Sequence, residues 1–161
     1  MRYAHDGQYR VRATLLALAF FLAACGPQSE ERAARVEDPW VRLAPPNAGM
    51  MAGYLVLENP GARQLELVAV SSPDFASVEV HRTEIVDGVA RMIAEPALTI
   101  PPGGRAVFEP GARHLMLHGP ARSFGEDEQV NLEFRFADGT QLAFAAPVRR
   151  GPQAADHQHD H

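Results

Sequence analysis

The chain has 161 residues, of which 46% are hydrophobic and 22% charged, and its formal net charge is −5. This length suits one globular domain, and the acidic balance argues against a nucleic-acid partner, because proteins that bind phosphates concentrate basic residues in a patch. All fifteen basic residues are Arg and the chain has one cysteine, which excludes lysine-based chemistry and an internal disulfide.

The N-terminus is typical of a lipoprotein signal peptide. Three arginines precede an apolar run, 13–24, that is too short to cross a bilayer as a stable helix. Residues 22–25 (LAAC) resemble the bacterial lipobox, in which the cysteine is lipidated after cleavage. We expect removal of residues 1–24 and a lipid on Cys25 that holds the protein to a membrane outside the cytoplasm. Ordinary cleavage near Ala24 would instead release a soluble protein.

A polar segment and a domain of short strands follow. Residues 25–36 are polar and are predicted to tether the domain to the lipid. Between 37 and 149, short alternating segments are separated by turn residues, and no segment keeps a period of 3.6 residues. This pattern predicts an antiparallel β-sandwich or barrel. The predicted strands are 40–43, 54–58, 65–70, 77–84, 89–94, 106–109, 114–118, 130–136 and 141–148.

Asp87-Gly88 predicts a two-residue hairpin turn, which fixes the pairing of the strands on either side of it. With residue 86 opposite residue 89, His81 faces residue 94 and Met92 faces Thr83. Residues two apart on a strand share a face, so His81 and Met92 become diagonal neighbours. Their backbones would be about 7–8 Å apart, which is within reach of a methionine side chain.

His114 and Met116 are two residues apart on one predicted strand, so both project to the same face. Leu115 and Leu117 point the opposite way, and we expect them to pack inward. With His81 and Met92, these residues supply two imidazoles and two thioethers, a soft and neutral donor set that favours Cu(I) over hard cations and over Zn(II). The alternative is a purely structural role, with each methionine in the core and each histidine at the surface.

The spacing of these four residues, His-x10-Met-x21-His-x-Met, resembles the signature of the periplasmic copper(I) chaperone family PCuAC. Segments 38–42, 71–73 and 110–117 are also similar to the family, and the resemblance covers residues 36–148. It implies a cupredoxin-like antiparallel β-sandwich of Greek-key topology. It also implies a set of Cu(I) ligands: His81, Met92, His114 and Met116. The chain departs from the family pattern at Ala112-Arg113 and at Pro120, which are not ligands.

The resemblance also implies a function. A chaperone of this family captures Cu(I) outside the cytoplasm and delivers it to an apo-metalloprotein, with the copper centre of a haem-copper (cytochrome c) oxidase as recipient and a Sco-type thiol protein as a further partner. We expect a monomer on the periplasmic face of a membrane. An enzyme is not expected, because the sequence has no Gly-x-Ser-x-Gly or His-Glu-x-x-His motif.

Further donors lie outside the four-residue signature. Met50, Met51 and His118 could assist copper transfer, although packing of the two methionines and a surface position for His118 are the simpler interpretations. Segment 150–161 is predicted to be a disordered tail whose alternate histidines could bind Cu(II), Ni(II) or Zn(II). These histidines are His157, His159 and His161.

Two other functions compete with the chaperone. A passive copper or zinc store would depend on the histidines of the tail. An electron-transfer cupredoxin is disfavoured, because a blue-copper site needs a cysteine thiolate and Cys25 is the only cysteine.

Overall fold

The computed structural model describes residues 33–151, so the predicted signal peptide, Cys25 and the histidines of the tail lie outside the described residues. Within this range there is no helix long and apolar enough to span a membrane. The same range forms ten β-strands: β1 (Arg35–Arg42), β2 (Met50–Glu58), β3 (Leu65–Ser71), β4 (Phe75–Val86), β5 (Val89–Ala94), β6 (Leu98–Ile100), β7 (Arg105–Phe108), β8 (His114–Pro120), β9 (Gln129–Phe136) and β10 (Gln141–Arg149).

Alternation of apolar and polar residues explains why these segments are strands. A strand turns successive side chains to opposite faces, so an alternating sequence buries one face and exposes the other. β9 shows this most clearly, since Val130, Leu132, Phe134 and Phe136 are buried and the residues between them are not. The inward faces meet in one hydrophobic core.

Seven strands form a closed ring in the order β4-β8-β2-β1-β10-β9-β3, and the pairing of β3 with β4 completes it. Outside the ring, β5 pairs with β4, β6 pairs with β3, and β7 pairs with the second half of β2. β1 and β10 are parallel, whereas the other strand pairs within residues 33–151 are antiparallel. The first and last strands are not joined by a hairpin, so nothing forces them to run in opposite directions. The predicted β-sandwich is confirmed, with this one parallel pair as a correction.

The strands differ from the predicted ones in length and number. β1 begins at Arg35, so two residues assigned to the tether belong to the domain. β6 is additional, because three residues between two prolines are too few to show alternation.

Asn59 is buried and holds the end of β6. Its Nδ2 donates to the carbonyl oxygens of Ile100 at 3.0 Å and Pro101 at 3.1 Å. Such bonds satisfy an amide that would otherwise be costly to bury.

Candidate metal centre

The β4–β5 hairpin has the predicted turn and register. Asp87 and Gly88 both have positive φ, 53° and 77°, as a type I′ turn requires, and this turn matches the twist of paired strands. The predicted diagonal neighbours, His81 and Met92, therefore share one face. The pairs that define the register are Val86 with Val89, Thr83 with Met92, and His81 with Ala94.

β8 presents its histidine and methionine on the face opposite the core. Leu115 and Leu117 are fully buried, which confirms the inward direction predicted for them. His114 lies directly opposite His81 on β4, and their ring centroids are 6.2 Å apart. The two imidazoles, 33 residues apart in sequence, are therefore cross-strand neighbours.

Three of the four predicted ligands line one cavity of about 290 Å³, namely Met92, His114 and Met116. Met50 and segment 42–45 provide much of the remaining wall. Met92 is 62% exposed, whereas His114 is only 9% exposed, so the cavity has a thioether open to solvent and a buried imidazole. His81 joins this group through its ring contact with His114.

Hydrogen bonds decide which nitrogen of each imidazole can bind a metal. Nδ1 of His114 donates to the carbonyl oxygen of Ala112 at 3.0 Å, which leaves the lone pair on Nε2. Nε2 of His81 donates to Oε2 of Glu79 at 2.8 Å, which leaves the lone pair on Nδ1. This Nδ1 is buried and has no hydrogen-bond partner within residues 33–151. A buried nitrogen with a free lone pair fits a metal ligand, and the second nitrogen of each ring is oriented as in known metal sites.

Glu79 is the charged group that is hydrogen-bonded to the imidazole pair, through His81. The hydrogen bond from His81 holds the pKa of the Glu79 carboxyl below its ordinary value. Glu79 and the Ala112 carbonyl were both missed by the sequence analysis. The signal for Glu79 was present, because a residue two positions before His81 on a strand shares its face.

A bidentate ion pair fixes the end of β5 beside β8. Nε of Arg113 donates to Oε2 of Glu95 at 2.6 Å, and Nη2 of Arg113 donates to Oε1 of Glu95 at 3.1 Å. The Glu95 N–H also donates to the carbonyl oxygen of Val80 on β4 at 2.8 Å. Paired bonds of this kind are geometrically specific, so they keep β5, and with it Met92, next to the histidines.

The auxiliary donors suggested by the sequence lie in different places. Met50 is 48% exposed and lines the cavity, and His118 lies opposite it on β8. Met51 also lines the cavity, but it belongs to the core cluster and is only 7% exposed, which supports the packing interpretation for this residue. His157, His159 and His161 lie outside the described residues.

Cysteine, histidine and carboxylates alone do not form a metal site in the described part of the chain. Residues 33–151 hold no group of three His, Cys, Asp or Glu residues that could bind a metal ion. A larger cavity of about 750 Å³, between segments 43–49 and 119–125, includes only Met51 among the sulfur and imidazole donors. The smaller cavity differs in that methionine sulfur and imidazole both line it.

The fold and the donor set define the class: a β-sandwich domain with a candidate centre of two histidines and two methionines. The profile of the family described as "Putative lipoprotein LpqE-like" matches residues 34–148, and the chain belongs to this family. A Leifsonia xyli protein also described as a lipoprotein is 27% identical over 124 residues, which cover 76% of this chain and 74% of that protein. An uncharacterized Rickettsia prowazekii protein is 30% identical over 115 residues, which cover 69% of this chain and 64% of that protein.

Solved structures with the same architecture confirm the cupredoxin-like fold. The chain is similar to the copper-bound PCuAC domain from PmoF2, with a TM-score of 0.62 and 23% identity over 75% of this chain and 98% of that domain. It is also similar to Cu(I)-loaded DR1885 from Deinococcus radiodurans, with a TM-score of 0.64 and 29% identity over 81% of this chain and 88% of that one.

Proposed function

We propose that the protein is an extracytoplasmic Cu(I) metallochaperone. In this proposal Cu(I) is bound by Nδ1 of His81, Nε2 of His114 and the thioether sulfurs of Met92 and Met116. The observation that carries it is the meeting of these donors on one face, with the His81 nitrogen buried and without a hydrogen-bond partner among the described residues. The copper bound by the PmoF2 domain and by DR1885 supports the choice of metal.

The donor set suits a metal that must be passed on. Thioethers bind Cu(I) without losing a proton, so their bonds can be exchanged for those of an acceptor. Protons compete for both imidazoles, so binding weakens in acid. Met92 is largely exposed, and an acceptor can therefore reach the ion from the solvent side. These are properties of a carrier protein and not of an enzyme.

Location and partners complete the proposal. Lipidation of Cys25 would hold the protein on the periplasmic face of a membrane, and the lipoprotein description of its family supports this. The recipient is an apo-metalloprotein, proposed as the copper-accepting subunit of a haem-copper oxidase, with a Sco-type thiol protein as a further partner. The protein acts as a monomer, and Cu(II) binding is assigned to the histidines of the tail.

Competitive titration against a Cu(I) chelator without oxygen tests the binding site. The unchanged protein should show one tight site, which the double variant His114→Ala, Met116→Ala should lose. Because exposed Val68 and Val107 lie on other strands, the double variant Val68→Ala, Val107→Ala is the matched control and should keep the site. Unchanged tight binding in the first variant would contradict the proposal.

Delivery requires a separate experiment. Cu(I)-loaded protein is mixed with the apo copper domain of a haem-copper oxidase, the two are separated by size, and copper is measured in each. Movement of copper to the oxidase domain supports the proposed recipient. Retention by the loaded protein overturns that recipient and leaves the binding site unaffected.

A further inference from the structure

Two more soft donors lie beside the proposed four-ligand site on the same face. Met50 lines the cavity with Met116 but is not one of the four ligands. His118 is two residues beyond Met116 on β8 and therefore shares its face. Met50 and His118 are named here the outer pair.

The register of β2 and β8 brings the outer pair together. Met50 and His118 are directly opposed partners. The Gly119 N–H donates to the Gly49 carbonyl oxygen at 2.9 Å, so the next opposed pair, Met50 with His118, is of the non-hydrogen-bonded kind. In such pairs the Cα atoms are about 4.5 Å apart and the side chains approach most closely.

Met116 lies between the outer pair and the histidines. Its cross-strand partners are Ala52 on β2 and Glu79 on β4, so the small alanine leaves the space beside its thioether open. Two residues along a strand correspond to about 6–7 Å, and an ion between Met116 and His118 is within reach of both side chains. One thioether thus has imidazoles on both sides of it along β8.

We propose that the outer pair and Met116 form a second Cu(I) position, which shares Met116 with the four-ligand site. This inference rests on the proposed function, because Met116 is a ligand in both. One imidazole and two thioethers are again soft and neutral donors, which select the same ion. The position has three ligands instead of four, and Met50 is 48% exposed, so it binds more weakly and is more open to an acceptor.

The shared methionine allows copper to move by ligand exchange. Bonds from Cu(I) to His81, His114 and Met92 are replaced by bonds to Met50 and His118 while Met116 stays bound. The metal remains Cu(I) throughout, and no electron is transferred. The ion reaches the open side of the face without entering solvent.

NMR of the full chain with labelled methionine methyl groups and labelled histidine rings, titrated with Cu(I) in the absence of oxygen, tests this position. The first equivalent should shift the Met92 and Met116 methyl signals. Further Cu(I) should shift the Met50 methyl and His118 ring signals. Unmoved Met50 and His118 signals through several equivalents, with normal responses at Met92 and Met116, would overturn this inference alone. No response at Met92 and Met116 would overturn the proposed function.

A pair of neighbouring variants provides the matched comparison. Met50→Leu preserves side-chain volume and removes the sulfur, so it should weaken the later binding step by about tenfold or more and leave the first unchanged. Met51→Leu makes the same change at a core residue that borders the cavity, but Met51 is one position along β2 from Met50 and its side chain therefore points to the opposite face, so this variant should affect neither step. A Met50 signal that responds fully to the first equivalent, or equal binding curves for the two variants, would contradict the second position.

Discussion

Glu79 illustrates how one carboxylate sets which nitrogen of a neighbouring imidazole keeps its lone pair. Its hydrogen bond keeps a proton on Nε2 of His81, and the lone pair is therefore on the buried Nδ1. The same bond holds the pKa of Glu79 below its ordinary value. Metal-binding histidines are commonly oriented through their second nitrogen in this way, and the orientation contributes to affinity.

Replacing Glu79 with Gln should weaken Cu(I) binding by about tenfold to a hundredfold. An amide can donate as well as accept, so the substituted side chain no longer forces the proton onto Nε2 of His81. Competitive titration measures the affinity, and nitrogen NMR of the metal-free protein measures the tautomer.

Glu84 provides the control for this prediction. It forms an ion pair with Arg82 and lies three residues after His81 on β4, so its side chain points to the opposite face of the strand. Glu84→Gln should leave the affinity and the His81 tautomer unchanged. If Glu79→Gln behaves like Glu84→Gln, the positioning role of Glu79 is wrong.

At the scale of elements, the β4–β5 hairpin is the part of the site that the sequence predicts most completely. A two-residue turn at Asp87-Gly88 fixes which residues of the two strands lie opposite each other. This register alone decides that His81 and Met92 share a face. The His-x-Met pair on β8 follows from the same rule. Local sequence is sufficient for these features because each depends on neighbours along the chain.

Gly88→Ala should lower the free energy of unfolding by about 1–2 kcal/mol, because a side chain disfavours the left-handed conformation that this turn requires. An added Cβ at Gly88 would meet nothing within 4 Å, so the effect isolates backbone strain from steric contact. Urea unfolding measures it.

Gly49→Ala is the matched substitution, since Gly49 also has open space around it and lies outside the left-handed region. It should change the unfolding free energy by a few tenths of a kcal/mol at most. Equal losses at the two glycines would contradict the turn argument.

Contacts between distant segments could not be predicted from the sequence. His81 meets His114 only because β4 pairs with β8, and no local pattern selects that partner. The three-residue strand β6 depends on buried Asn59, some forty residues before it, for its last hydrogen bonds. The wall formed by segment 42–45 likewise depends on how β1 packs beside β2. Such features come from the closed sheet as a whole.

At the scale of the whole molecule, deletion of residues 152–161 distinguishes the proposed Cu(I) chaperone from a passive metal store. The proposed tight Cu(I) site should survive this deletion, because its four proposed ligands lie on β4, β5 and β8. Total Cu(II) capacity should fall, because the deletion removes His157, His159 and His161. Metal analysis after dialysis against each ion measures both, and loss of the tight Cu(I) site would favour the store.

The closed ring leaves one of the four proposed ligands on its periphery. His81, His114 and Met116 are on ring strands, whereas Met92 is on β5, whose only strand partner within residues 33–151 is β4. A movement of the Met92 side chain away from the histidines breaks none of the backbone hydrogen bonds that close the ring. In the proposed delivery, an acceptor that contributes its own sulfur would therefore replace this single thioether first, and the closed sheet would keep its shape while Cu(I) is transferred.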